Sequence, residues 1–461
     1  MAKLSPVFSV KRKEPELVPP AKPTPRESKY LSDIDDQDSL RFQFPFIMFY
    51  HDHPLLQGKD PATVIKDALS KALVHYYPLA GRLREGPYNR KLVVDCTGEG
   101  VLFVEADADI RLDQLGDTIQ PPFPCCEDLL FNVPGSSNAL GCPLLLIQVT
   151  RLKCGGFIFA VRLNHAMADS LGLVQFLNSV AEIAKGADKP SLLPVWKREI
   201  FTARDPPQVT CQHDTYNKLT HTTGSKEINM DSDYNLVQKC FFFSQKDIRS
   251  IRSHLPPHLR TSSTFEVLTA CIWRSRTVAL DHNPDEIVSV SCPVNARGKQ
   301  GMEVPHGFYG NAFAYIAAVS SAKLLCENPL GYALQLVKRT KTRMSEEYMR
   351  SLADLMVIKG RPKCDTTSRS LLVADTTKVG FEKVDFGWGE AVYGGPIGSI
   401  DSTVYYANAR CRNSKGDRGI VLPVWLPPLA MERFEQEIQK MTREAVDVSH
   451  DKKYESIPSM M

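Results

Sequence analysis

Across residues 187–235 the chain loses its hydrophobic periodicity and turns polar, with Pro190, Pro194, Pro206 and Pro207 spaced along it. A stretch of that length without a structural pattern is uncommon inside one compact domain. On both sides of it, apolar runs of strand length alternate with segments whose apolar residues recur every three to four positions. That alternation predicts an α/β fold. At 461 residues the chain also exceeds what a single hydrophobic core organises. It therefore divides into residues 1–186, a crossover over 187–235, and residues 236–461.

In the first part, Pro19, Pro20, Pro23 and Pro25 mark residues 1–30 as an extended surface segment. Asp60-Pro61 opens a helix carrying Val64, Ile65, Ala68, Leu69, Ala72 and Leu73. Proline sits in its first turn, where the missing N–H costs nothing. Residues 91–95 and 101–104 read as strands around Gly98 and Gly100. Residues 144–150 and 157–163 flank Lys153-Cys154-Gly155-Gly156, a hairpin signal. The second part reads as a helix over 265–277, strands over 287–292 and 312–319, one helix over 330–348 and a last helix over 430–446.

Composition narrows the function. A net charge of +3 is too small to argue for nucleic acid or a membrane surface. No run approaches the roughly 18 apolar residues of a membrane span, and no apolar stretch of signal-peptide length follows Met1. The 12 cysteines are scattered without a Cys-x-x-Cys pair, and Cys125-Cys126 suits neither a zinc site nor a loop-closing bridge. Reduced thiols in a reducing compartment are expected, hence a cytoplasmic, metal-free protein. Ser459-Met460-Met461 offers a weak peroxisomal alternative.

One histidine stands out. His165 lies in Asn164-His165-Ala166-Met167-Ala168-Asp169-Ser170, directly after the strand pattern of 156–163 and before the helical pattern Leu173, Phe176, Leu177, Val180. A histidine on such a turn is held by rigid elements and still reaches a cleft. Neutral imidazole is the usual base for a hydroxyl proton. His-x-x-x-Asp alone is a weak signal: with 11 histidines, about one match is expected by chance. Asp169 also suits a helix N-cap. Asp385-Phe386-Gly387-Trp388-Gly389 is more specific, because Trp occurs only 4 times. Physically it reads as a tight glycine turn with Trp packed beside it.

The two motifs, in this order, resemble those of the plant BAHD acyl-CoA-dependent acyltransferase family, and the resemblance covers the whole chain. Leu31-Ser32-Asp33-Ile34-Asp35-Asp36-Gln37, Tyr76-Tyr77-Pro78-Leu79-Ala80-Gly81-Arg82, Val294-Asn295-Ala296-Arg297-Gly298-Lys299 and Gly307-Phe308-Tyr309-Gly310-Asn311-Ala312 are similar to further family blocks. The resemblance implies two similar domains of mixed β-sheet flanked by helices, chloramphenicol-acetyltransferase-like, with an active-site channel at their interface. It implies a monomer with no tightly bound cofactor, acting on acyl-CoA and an alcohol. The motif positions His165 and Asp385 are its catalytic candidates, with His165 as general base and Asp385 in a supporting role. Asp169 is expected to pair with Arg297 and fix the catalytic turn. Phe386, Gly387, Trp388 and Gly389 are expected near the channel, Trp388 closest. Ser262, Ser263, Thr264 and Lys299 are the candidates for holding coenzyme A, although the hydroxyls also suit a helix cap and the lysine a solvated surface.

Within the family, residues 20–27, 92–100 and 149–160 are most similar to benzyl alcohol O-benzoyltransferases, which implies benzoyl-CoA as donor. Two departures bear on the substrate. Ala166 stands where close relatives often carry Thr, and residues 395–406, with Asp401, Tyr405 and Tyr406, look shorter and more polar than the matching loop. Transfer to an alkaloid or other alcohol, or from acetyl-CoA, is the alternative. A catalytically silent acyl-CoA-binding relative is the reading from another class.

Overall fold

The computed structural model describes residues 8–87, 90–116, 119–133, 140–216, 236–361, 368–398, 403–410 and 418–443. The first half supplies strands β1 (Val10–Arg12), β2 (Glu16–Val18), β3 (Ser28–Tyr30), β4 (Gln43–Tyr50), β5 (Arg82–Glu85), β6 (Leu92–Asp95), β7 (Val101–Ala108), β8 (Leu145–Leu152) and β9 (Phe157–Asn164), with helices α1 (Pro61–His75), α2 (Cys126–Leu129) and α3 (Ser170–Ala184). The second supplies β10 (Val237–Ser244), β11 (Ile287–Asn295), β12 (Phe313–Ser321), β13 (Ser370–Asp375), β14 (Tyr393–Pro396), β15 (Thr403–Arg410) and β16 (Arg418–Leu426). Its helices are α4 (Gln245–Ser253), α5 (Thr264–Leu280), α6 (Ala322–Glu327), α7 (Leu330–Thr342), α8 (Glu346–Ile358) and α9 (Pro428–Thr442).

Two mixed sheets organise these elements. One runs β1-β7-β8-β9-β4-β14, with β2 also on β7; the other runs β10-β16-β15-β13-β11-β12. A small sheet, β3-β6-β5, completes the first half. β4, β8 and β9 are buried almost throughout, as strands covered on both faces must be. Alternate residues serve different layers. Phe44, Phe46, Met48, Phe157 and Phe159 pack toward α1 and α3, while Ile47, Phe49, Ile158 and Ala160 join Tyr393, Ala407 and Val421 of the second half.

Local chemistry starts the helices where the sequence predicts. Asp60 caps α1 by accepting from Thr63 N, and Ile65, Ala68, Leu69, Ala72 and Leu73 are buried along its stripe. The segment predicted as one helix over 330–348 is broken between α7 and α8. Ser345 accepts from Tyr348 N and begins a new helix, a cap that competes with continuation. From residue 8 the Pro-rich start runs extended and mostly exposed, as expected, with β1, β2 and β3 each paired to a sheet strand. Within the crossover, Arg198, Phe201 and Tyr216 are buried; residues 217–235 lie outside the described residues.

Residues 381–396, within the 236–461 boundary, pack with the first half. β14 pairs antiparallel with β4, Tyr393 opposite Phe49. Phe381, Val384, Phe386, Trp388 and Ala391 belong to the first-half core. A sheet ending at β4 would present an unpaired apolar edge, and β14 covers it. The Asp385 turn closes this excursion. Its Oδ1 accepts from Gly387 N at 2.8 Å and Gly389 N at 2.7 Å. Both glycines have positive φ, +113° and +87°, which side-chain-bearing residues resist. Oδ2 lies 3.3 Å from Lys185 Nζ at the end of α3. The Trp388 ring meets Phe157 edge-on at 5.4 Å. Trp388→Ala is expected to cost about 3–5 kcal/mol, read as a lower urea midpoint at unchanged slope. A loss below about 1 kcal/mol would contradict this packing role.

Candidate active site

The β9–α3 turn is held at each step. His165 N donates to Phe42 O at 2.9 Å, extending the β4–β9 ladder by one residue. Asn164 then accepts twice, from Ala166 N at its Oδ1 and from Met167 N at its carbonyl. Asp169 caps α3, its Oδ1 accepting from Gly172 N at 2.9 Å. The same carboxylate receives both Arg297 terminal nitrogens, Nη1 on Oδ2 at 2.6 Å and Nη2 on Oδ1 at 3.2 Å, and Ala312 N on Oδ2 at 3.1 Å. Asp169 is therefore saturated by a cation and two backbone amides.

The imidazole of His165 is 9% exposed. It stacks on Phe44 (centroids 5.4 Å, planes 12° apart), with Phe42 at 5.6 Å and Phe313 at 6.1 Å. Its Nδ1 is buried and meets no hydrogen-bond partner. Burial among these rings pushes its pKa below the ordinary histidine value. The residue's own backbone, Asp169 and Asn311 oppose that shift without overcoming it. The ring is therefore neutral at neutral pH.

His165 opens on a cavity of about 760 Å³ between the halves. Its apolar lining includes Phe44, Phe313, Tyr315, Leu372 and Ile420, of which Phe44 and Phe313 meet the imidazole. The same cavity is also lined by Arg252, Lys299, Lys341 and Lys378. Lys341 is paired with Glu266 at 3.0 Å, and the Arg252 guanidinium donates to the Ser262 carbonyl and to Thr264 Oγ1. Lys299 and Lys378 make no ion pair among the described residues. Ser262, Ser263 and Thr264 line the same region at the start of α5. Ser263 is its N-cap, sharing a capping box with Glu266.

The structure thus brings His165, Asp169, Arg297, Ser262, Ser263, Thr264 and Lys299 to one cavity. It does not bring Asp385, Phe386, Gly387, Trp388 or Gly389 to the residues lining it. Asp385, carried as a catalytic candidate, spends its carboxylate on Gly387, Gly389 and Lys185. Trp388, expected nearest the channel, is packed into the first-half core. Of residues 395–406, Tyr406 is buried and lines the cavity, its hydroxyl 3.2 Å from Thr269 Oγ1. Asp401 and the Tyr405 side chain lie outside the described residues, as do residues 459–461.

Sequence reading missed Arg252, Lys341 and Lys378. Each is an isolated cation in its own segment, and only the fold converges them. It also gave no role to Asp35 and Asn311, although both sit in blocks shared with the family, nor to Arg198. Among the described residues, no helix is long and apolar enough to cross a membrane.

Known proteins match this chain along nearly its full length. The transferase family model covers residues 8–441. A benzyl alcohol O-benzoyltransferase of Petunia hybrida is 57% identical over 441 residues, 95% of this chain and 94% of its own. Alcohol acyl transferase 1, allele GSa, of Malus domestica is 54% identical over 460 residues, 99% of either chain. The solved structure of vinorine synthase shares the fold at a TM-score of 0.72 and 24% identity, covering 94% of this chain and 98% of that one. With a family match along nearly its whole length and relatives more than half identical to it, the chain belongs to the BAHD transferase family of acyl-CoA-dependent alcohol acyltransferases.

Proposed function

We propose that the protein transfers an aromatic acyl group, benzoyl from benzoyl-CoA, to an alcohol such as benzyl alcohol, with His165 as general base. The observation that carries this reading is a buried, neutral imidazole where an aromatic pocket meets a cationic rim. His165 Nε2 takes the hydroxyl proton as the alcohol oxygen attacks the thioester carbonyl. The tetrahedral intermediate collapses, the C–S bond breaks, and the leaving thiolate takes the proton back from the imidazolium. The ester and free CoA are the products, and no covalent enzyme intermediate is needed. Asp169 holds the turn and transfers no proton, because Arg297 and two backbone amides already occupy its oxygens.

Phe44, Phe313 and Tyr315 give the inner pocket flat apolar faces, which favours a planar acyl group over acetyl. The Petunia relative's name points the same way, while the nearly equal identity of the Malus relative supports a broader alcohol acyltransferase as the second reading. Purified protein given benzoyl-CoA and acetyl-CoA with benzyl, aliphatic and alkaloid alcohols should yield benzyl benzoate as the main product. Preferred acetyl transfer to aliphatic alcohols would establish the second reading instead. Release of free acid in the presence of alcohol would identify a thioester hydrolase.

His165→Ala is expected to lower kcat/KM by about 10²–10⁴-fold while acyl-CoA binding is retained. Unchanged turnover would exclude the base assignment. The pH dependence follows from the sign of the shift. Burial lowers the histidine pKa, so the basic form already predominates at the ordinary histidine value. The acid limb of the kcat/KM profile should then lie below that value and vanish in His165→Ala. An acid limb at or above it would contradict a desolvated base.

Lys299 and Lys378 face the cavity where the nucleotide phosphates of CoA would enter. Replacing either by alanine should raise the KM for acyl-CoA by about tenfold, the worth of one charged hydrogen bond, with kcat little changed. A KM within twofold of the parent for both would move the phosphate subsite away from this rim.

A further inference from the structure

Asp169 is one of two buried carboxylates that reach the His165 turn. The other is Asp35, fully buried in the segment just after β3. Its Oδ2 is taken by Ser32, from Oγ at 2.6 Å and from N at 3.2 Å. Its Oδ1 accepts three donors: Arg198 Nη1 at 2.8 Å, Asn311 N at 3.0 Å and Asn311 Nδ2 at 2.9 Å. Arg198 comes from the crossover and is 2% exposed. It sends Nη2 to Met167 O at 2.7 Å, and its guanidinium lies 4.5 Å from the centroid of the Trp196 ring. Gly310 makes room for it, since a Cβ there would stand 2.0 Å from Arg198 Nη1.

Asn311 is fully buried and gives Nδ2 also to His165 O, at 2.8 Å. Nδ2 thus faces only acceptors, which fixes the orientation of the amide. Asp35 therefore reaches the turn by two arms, Arg198 onto Met167 and Asn311 onto His165. The next residue, Ala312, gives its N–H to Asp169 at 3.1 Å. Consecutive amides, 311 and 312, tie the two carboxylates together across the seam between the halves. Among the described residues, three buried polar atoms of this network have no partner: His165 Nδ1, Asn311 Oδ1 and Arg198 Nε.

The geometry points to Asn311, clamped by Asp35 and Arg198, as a positioning residue for His165. Its Nδ2 fixes the carbonyl of the histidine at 2.8 Å, while Arg198 ties Asp35 to the Met167 carbonyl on the same turn. This rests on His165 being the base. The ion pair Asp35–Arg198 then parallels Asp169–Arg297, one holding the start of the turn and the other its end.

The test compares Asn311→Ala and Asn311→Leu, which lose the amide while Leu keeps the volume, with His165→Ala in parallel. Thermal melts, kcat and KM for benzoyl-CoA are measured on each. A displacement of the base by about 1 Å costs on the order of 10²-fold. Both Asn311 variants should therefore fold, keep KM within about threefold and lose kcat about 100-fold, a loss confined to the transition state. A folded variant with kcat within about threefold of the parent overturns the proposal. So does a loss seen in KM alone. Failure of both variants to fold would assign the network to stability only and would also overturn it. Full activity in His165→Ala would instead remove the base reading on which the proposal stands.

Discussion

The Asp169–Arg297 pair is the contact on which the site depends. Its two bonds, at 2.6 and 3.2 Å, join the turn after β9 to the segment after β11, so that one ion pair fixes the helix cap, the histidine turn and the seam between the halves together. Both partners are largely withdrawn from water. A pair in that setting contributes little net stability over an apolar replacement, yet losing one partner costs about 3–5 kcal/mol because a charge is left buried. Its value lies in specifying one geometry. The carboxylate is also the α3 N-cap, so the bland reading of Asp169 as a cap and the functional reading as an orienting residue describe the same set of bonds.

Much of this was legible in the sequence where the signal is local. The strand–turn–helix around His165, the α1 cap at Asp60-Pro61 and the start of α5 all follow from period and capping chemistry over a few residues. The family blocks supplied Arg297 as the partner of Asp169, which no spacing argument gives. What escaped is what the fold assembles. Lys378 follows β13, Lys341 ends α7 and Arg252 ends α4, so no linear pattern marks them as one rim. The destination of β14 was hidden for the same reason. Nothing in Tyr393–Pro396 says that its partner is β4, far upstream, rather than its sequence neighbour β15. The Asp385 motif misled in an informative way. A rare five-residue signature marks a site under strong geometric demand, and here that demand is a turn with two positive-φ glycines. It serves the first-half core and the end of α3 rather than the cavity.

The return of the chain into the first sheet also bears on substrate choice. With β14 hydrogen-bonded to β4, and Tyr393, Ala407 and Val421 packed against Phe49 and Ile158, the two sheets are joined through a shared apolar layer. Packed layers resist continuous deformation. The pocket between them is then shaped by its side chains more than by domain motion.

In the proposed role of general base, the electrostatic setting of His165 carries a trade. Aromatic walls at 5.4 to 6.1 Å lower its pKa and weaken it as a base. The same walls favour the unprotonated ring. General-base efficiency depends on both basicity and the fraction of base in the correct form. A base of lowered pKa gives up some driving force in each encounter and gains a larger fraction in the basic form near neutrality. Where the rival nucleophile is water at far higher concentration than any alcohol, dryness around the base matters more than its strength. A solvated histidine of higher pKa would favour hydrolysis; a desolvated one favours the ester.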